Sequence, residues 1–126
     1  MIDDRIRRAL SRGHTVDITT TGRQSGRPRR IEVVFHSFDG RLYISGMPRK
    51  ERRSWLANLE ADPTMTFHLK GPVKADLPAR ARILVDPAEQ EAVLRRIAQA
   101  WRRTDVDSMV RWSPLIEVQI EGLLAG

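Results

Sequence analysis

The residues best suited to chemistry in this chain lie in three short segments. The first is Thr20-Thr21-Gly22-Arg23-Gln24-Ser25-Gly26-Arg27-Pro28-Arg29. Its glycines let backbone N–H groups turn toward an anion, and arginine can grip a phosphate with two parallel bonds. Ser25 adds a hydroxyl donor. The same residues would also serve as a solvated arginine-rich turn with no ligand. The segment is neither a P-loop, which needs Gly-Lys-Ser/Thr, nor a dinucleotide-binding GxGxxG.

The second segment is Ser45-Gly46-Met47-Pro48-Arg49-Lys50. Its small side chains suit a backbone lying against a flat ring, and Arg49 and Lys50 suit a polyanionic tail. An ordinary basic connection before a helix has the same composition. The third is Trp55-Leu56-Ala57-Asn58-Leu59, where Trp55, Asn58 and Leu59 share one side of a helix. Leu59 reads as core. Trp55 is either a core aromatic or a ligand contact, and Asn58 either a local cap or a polar contact.

Other catalytic sets are thin. The chain has no cysteine, which excludes disulfides, thiolate metal sites, iron–sulfur clusters and cysteine nucleophiles. Its three histidines are His14, His36 and His68. His36 and His68 read as half-exposed strand residues, and no ligand-spaced carboxylate supports a metal site. Ser25 lacks the glycine elbow of a hydrolase nucleophile. No catalytic side chain and no metal ligand is assigned.

The elements that must position these segments follow from pattern. Ile2–Arg12 reads as a helix ended by Gly13. Thr15–Thr21 and Arg30–Phe38 read as strands around the glycine loop, with Ile31, Val33 and Phe35 sharing a face. Asp39-Gly40 is a two-residue hairpin signal, returning through Arg41–Ser45. Glu51–Ala61 reads as a helix stopped by Asp62-Pro63. Thr64–Leu69 and Ala79–Val85 read as strands joined across Gly71-Pro72, with Pro78 at a bend or edge. Asp86, Pro87 and Glu89 form the cap of a helix whose buried stripe is Val93, Ile97, Ala100 and Trp101. Val106–Trp112 adds a helical turn and Leu115–Ile120 a last strand. Strands with short links and inserted helices predict an antiparallel barrel or α+β sheet, mainly β, and not a doubly wound parallel sheet.

At 126 residues the chain has the length of one domain, spanning 1–126. No apolar run reaches the length of a membrane span, and the charged start lacks a signal peptide's apolar stretch, so the expected location is cytoplasmic. The net charge is +6, from 22 Lys and Arg against 16 Asp and Glu. The excess sits in Arg23, Arg27, Arg29 and Arg30 and in Arg49, Lys50, Arg52 and Arg53. Local positive charge points to a specific anionic partner. A nucleic-acid-binding module is the competing class, but the clusters lack interleaved aromatics and a recognised motif.

Taken in order, the Thr-Thr-Gly-Arg-Gln-Ser-Gly-Arg-Pro-Arg loop, the hairpin and Trp-Leu-Ala-Asn-Leu-Glu-Ala-Asp-Pro resemble the deazaflavin-dependent nitroreductase family. That family lies within the split β-barrel flavin-reductase group, which is FMN-binding or pyridoxamine-phosphate-oxidase-like. The resemblance runs from about Val16 to Val85. It implies a barrel of six to seven mostly antiparallel strands with peripheral helices, commonly a homodimer. It also implies coenzyme F420 as cofactor, with FMN the alternative, and hydride transfer to a quinone, enone or nitro compound. Arg23, Gln24, Ser25, Gly26 and Arg29 would hold the phosphate and acidic tail. Val33 and Val34 would flank the ring, Ser45, Gly46 and Met47 would line it, and Trp55 and Asn58 would close the site. Gln24 stands where a lysine is frequent, the loop after Ser45 lacks a glycine pair, and Tyr43 is the one tyrosine. A non-catalytic carrier on the same barrel is a further alternative.

Overall fold

The computed structural model describes residues 2–123. Ten elements follow one another: α1 (Asp4–Arg12), β1 (His14–Thr21), β2 (Pro28–Phe38), β3 (Arg41–Ser45), α2 (Ser54–Ala61), β4 (Thr64–Leu69), β5 (Ala75–Ile83), α3 (Pro87–Ala100), α4 (Val106–Trp112) and β6 (Leu115–Ile120). The strands close into a barrel in the order β1-β2-β3-β6-β5-β4, every neighbouring pair antiparallel.

Local chemistry sets most of the boundaries. Asp39 and Gly40 both take positive φ, 54° and 78°, which a two-residue hairpin with the native strand twist requires. The Asp86 carboxylate accepts the Glu89 N–H at 3.0 Å, and Pro87 begins α3. α1 begins at Asp4, β1 at His14 and β2 at Pro28, each within two residues of expectation, and two elements differ more. α2 begins at Ser54, not Glu51, because Arg53 stays extended as the residue before the helix. β5 begins at Ala75, so Pro78 lies inside it. The Pro78 carbonyl accepts Glu121 N–H at 2.9 Å just past the end of β6. Its missing N–H therefore falls where that ladder stops, and costs no strand bond.

Apolar alternation fills the barrel: Val16 and Ile18 of β1, Phe35 of β2, Ile44 of β3, Phe67 of β4 and Ile116 of β6 are all buried. Phe35 and Phe67 meet edge to face with ring centres 5.1 Å apart. A second core forms outside the barrel, where Val93, Leu94 and Ile97 of α3 and Met109 of α4 cover Tyr43 and Leu115. Ala100, expected on the buried stripe, is exposed, and Leu94 and Ala98 take that place. β3 and β6 are thus covered on both faces, which explains their near-continuous burial.

His36 and His68 correct the expectation of half-exposed strand residues, for both are buried. His68 bridges three strands, with Nε2 2.6 Å from Thr19 Oγ1 and Nδ1 2.7 Å from Asp76 Oδ1. His36 packs against the rings of Phe38 and Trp101, and its Nε2 has no hydrogen-bond partner among the described residues. Burial holds its imidazole below the usual range.

The unfolded imidazole gains a proton near its ordinary value while the folded one resists. His36 therefore supports the fold above that value, and its support fades as pH falls toward the depressed folded value. Thermal melts between about pH 7.5 and about pH 5 should show a steeper loss of Tm in the wild type than in His36→Phe. Carboxylates held down by cations, such as Asp17 and Asp76, titrate in a more acidic range. Parallel losses in the two proteins would contradict this role for His36.

Candidate functional site

β2 is longer than its partner β3. Only Phe35–Phe38 pairs with β3, so the stretch from Pro28 to Val34 keeps one free edge. The hairpin is closed by the Phe38–Arg41 pair, and the ladder is continuous from there. By strand parity the backbone N–H and C=O groups of Glu32 and Val34 point to that free edge. A groove of about 760 Å³ runs along it, bounded by the Gly22–Arg27 turn, β2 and the start of α2.

The turn is tightly built. Gly22 N–H donates to the Arg27 carbonyl and Gly26 N–H to the Gly22 carbonyl, each at 2.8 Å. A Cβ on Gly22 would stand 2.6 Å from Ser25 Oγ, so this close approach needs glycine. Ser25 Oγ accepts the Arg27 N–H at 3.1 Å, which leaves its own O–H free to donate toward the groove.

Asn58 fastens the turn to α2. It is only 4 % exposed. Its Oδ1 accepts from Arg23 N at 3.1 Å and from Arg23 Nη1 at 2.9 Å, and its Nδ2 donates to Thr20 Oγ1 at 3.2 Å. These bonds make Asn58 a clamp between α2, β1 and the turn, while it also lines the groove. Trp55, one turn earlier, is half-buried against the barrel core and lines the groove.

Of the residues singled out in the sequence, the fold brings Arg23, Gln24, Ser25, Arg29, Val33, Arg49, Trp55 and Asn58 to this groove. Gly26 lies in the turn itself at φ 69°. Val34 is 40 % exposed and its side chain lies off the groove, although its backbone faces the free edge. Ser45 is withdrawn from it, since its hydroxyl is buried and donates to the Pro114 carbonyl at 2.6 Å. Gly46 and Met47 serve the groove at one remove. The Met47 carbonyl accepts from the Arg53 guanidinium, and a Cβ on Gly46 would come within 2.9 Å of that guanidinium. Lys50 turns away toward the Trp112 ring, 5.9 Å from its centre.

Arg53, Thr20, Ile31, Glu32 and Ser54 also line the groove and were absent from the expected set. Ile31 was legible by period two from Val33. Arg53 was read as part of the second basic segment, on a helix begun at Glu51, and was not among the named coenzyme contacts.

Four arginines meet on this groove's lining. Arg30, Arg41, Arg52, Arg82, Arg95, Arg96 and Arg103 each pair with a carboxylate. Arg23, Arg29, Arg49 and Arg53 converge on the groove, and none forms an ion pair among the described residues. Glu32, the one acid on the lining, is held by Lys70. Burial, and then the charge of Arg49, lower the Arg53 pKa from its ordinary value. The charge of Glu51 opposes these two effects only in part. No group of metal-ligating side chains occurs among the described residues, and no helix there is long and apolar enough to cross a membrane.

The fold is similar to that of several solved structures. An F420 reductase superposes with a TM-score of 0.72 at 15% identity, covering 99% of this chain and 100% of the other. A FAD-binding protein from Mesorhizobium loti gives 0.64 at 14%, covering 95% and 91%. A domain-swapped dimer gives 0.63 at 22%, covering 83% and 79%. These likenesses establish the split barrel. Among curated proteins none matches the chain. The model of the F420H2-dependent quinone reductase family matches residues 3–111, which include every segment of the groove. The chain belongs to that family and is an F420H2-dependent oxidoreductase.

Proposed function

We propose that the groove along the free edge of β2 holds the deazaflavin of coenzyme F420, with the phosphate and acidic tail against Arg23, Gln24, Ser25, Gly26, Arg29 and the groove-facing sides of Arg49 and Arg53. The observation that carries this reading is the set of four arginines without carboxylate partners around one groove. An anionic group of that size and charge fits it. Arg29 and Arg49 have guanidinium donors free for phosphate or carboxylate oxygens, and Ser25 offers its O–H. The outward-facing amides of Glu32 and Val34 suit the polar edge of a flat heterocycle, much as a sheet edge takes an added strand. Val33, Ile31 and Trp55 supply an apolar wall for its face.

When bound, the reduced coenzyme supplies the hydride and the chemistry of its transfer. The chain's contribution is orientation and charge. Asn58 holds Arg23 in place, Gly46 and Met47 hold Arg53, and the wall of Ile31, Val33 and Trp55 limits water at the ring. No catalytic side chain is assigned among the described residues. Acceptors are quinone-type compounds, with enones and nitro compounds in the same electrophilic class. A cytoplasmic location goes with this reading.

A homodimer also follows. The groove is open to solvent, and Val34 and Met47 are large apolar side chains exposed beside it, Met47 at 53 %. A second copy would cover them and the ring, and one similar fold is a domain-swapped dimer. Light scattering at micromolar concentration should give twice the chain mass. A monomer with undiminished coenzyme affinity would contradict this.

The Arg29 side chain is exposed and makes no hydrogen bond or ion pair among the described residues, so Arg29→Ala should weaken F420 binding at least about tenfold with Tm unchanged. Fluorescence titration and thermal melts check this. Unchanged binding would remove the phosphate site, and FMN binding as tight as F420 would favour the flavin alternative. Asn58→Leu should cost about 1–3 kcal/mol of stability, since it strands the Thr20 hydroxyl and the Arg23 N–H. Asn58→Asp, which sets a carboxylate against Arg23, should keep the fold and still weaken the coenzyme. If Asn58→Asp binds F420 like wild type, Arg23 is not a coenzyme ligand.

A further inference from the structure

Beyond Arg49 and Arg53 the groove continues into a second pocket of about 240 Å³, and those two arginines line both. Its floor is apolar, formed by Leu56, Pro114 and the half-exposed indole of Trp112. Its rim carries Arg49, Lys50, Arg53 and Arg111, with Glu51 as the acid among them. The Arg111 guanidinium sits 5.1 Å from the Trp112 ring centre and the Lys50 ammonium 5.9 Å from it. Neither forms an ion pair among the described residues, whereas Arg52 is committed to Glu60. Ser113, also on the wall, has its hydroxyl oxygen buried with no hydrogen-bond partner there.

An indole floor ringed by free cations suits an aromatic group that carries negative charge. A neutral quinone would leave the Lys50 and Arg111 charges answered by the indole face alone. A hydrophilic glutamyl chain would leave Leu56, Pro114 and the indole without use. Tyr43, the one tyrosine, is buried beneath α3 and cannot meet an acceptor carbonyl.

We infer that this second pocket takes the anionic aromatic end of the hydride acceptor, so that the preferred acceptor is a quinone bearing a carboxylate. The inference rests on the reading that the deazaflavin lies in the adjoining groove. The reduction itself is balanced as for any quinone. One hydride and one proton leave the reduced coenzyme, both join the quinone to give the hydroquinone, and the carboxylate is unchanged.

The test has two arms. In the first, the protein without coenzyme is titrated with 1-naphthoate while tryptophan fluorescence is followed. Saturable quenching is expected in wild type, and its loss in Trp112→Phe. Absence of saturable quenching in wild type would overturn the pocket assignment, whatever the coenzyme does. In the second, the F420H2-loaded protein is assayed with menadione and with a menadione bearing a propionate arm. The acid should show a kcat/KM at least about tenfold higher, and Arg111→Ala should erase that preference through a raised KM for the acid. Equal kcat/KM for the two quinones would overturn the inference. So would an Arg111→Ala variant that loses affinity for F420 but not for the coenzyme shorn of its glutamates, since the pocket would then belong to the tail. Failure of F420 to bind at all, with naphthoate quenching intact, would instead count against the groove assignment.

Discussion

The molecule is organised around four guanidinium groups that have no carboxylate to answer them. Seven other arginines are each held by a carboxylate. Arg82, for example, reaches both Glu89 and the buried Glu117 and ties the first turn of α3 to the barrel. Around the groove that pairing stops. Bringing like charges together costs free energy, and burial makes Arg53 pay more than an exposed arginine would. Such an arrangement persists when packing elsewhere fixes it and when a ligand supplies the missing charge.

The barrel provides that fixing. A two-residue hairpin sets the register of β2 against β3, and because β3 is only five residues long the start of β2 is left with a free edge. α2 then covers the end of the barrel with Leu56 and Leu59, and Asn58 on the same helix reaches Thr20 and Arg23. One buried amide thus connects the apolar core to the cationic turn. The outer core of α3 and α4 stands apart from this and keeps β3 and β6 rigid behind the loop that carries Arg49 and Arg53.

Much of this was legible in the residues. The glycine loop, the Asp39-Gly40 hairpin, the capping of α3 and the alternation of β1 and β2 are local signals, and local chemistry decides them. The two basic segments, far apart in the chain, were each readable as ligand-facing, and the fold places Arg23, Arg29 and Arg49 on one groove. What was not legible depended on tertiary context. Nothing in the sequence near Arg53 tells that it stays extended and crosses Gly46 to reach the Met47 carbonyl. Asn58 could not be recognised as an internal clamp without knowing that Arg23 lies beside it. Ser45 has the size of a ring contact, but Pro114, distant in sequence, captures its hydroxyl. The histidines looked half-exposed because strand alternation gives a face, and does not say what a closed barrel or a second core lays over it.

The central claim is that these arginines exist to neutralise the anionic end of the coenzyme. Calorimetric titration with F420 and with the same deazaflavin stripped of phosphate and tail measures that most directly, at low salt and at high salt. The account predicts that F420 binds at least about tenfold tighter at low salt, with the gap narrowing as salt screens the groove. Equal affinities for the two compounds at low salt would contradict it.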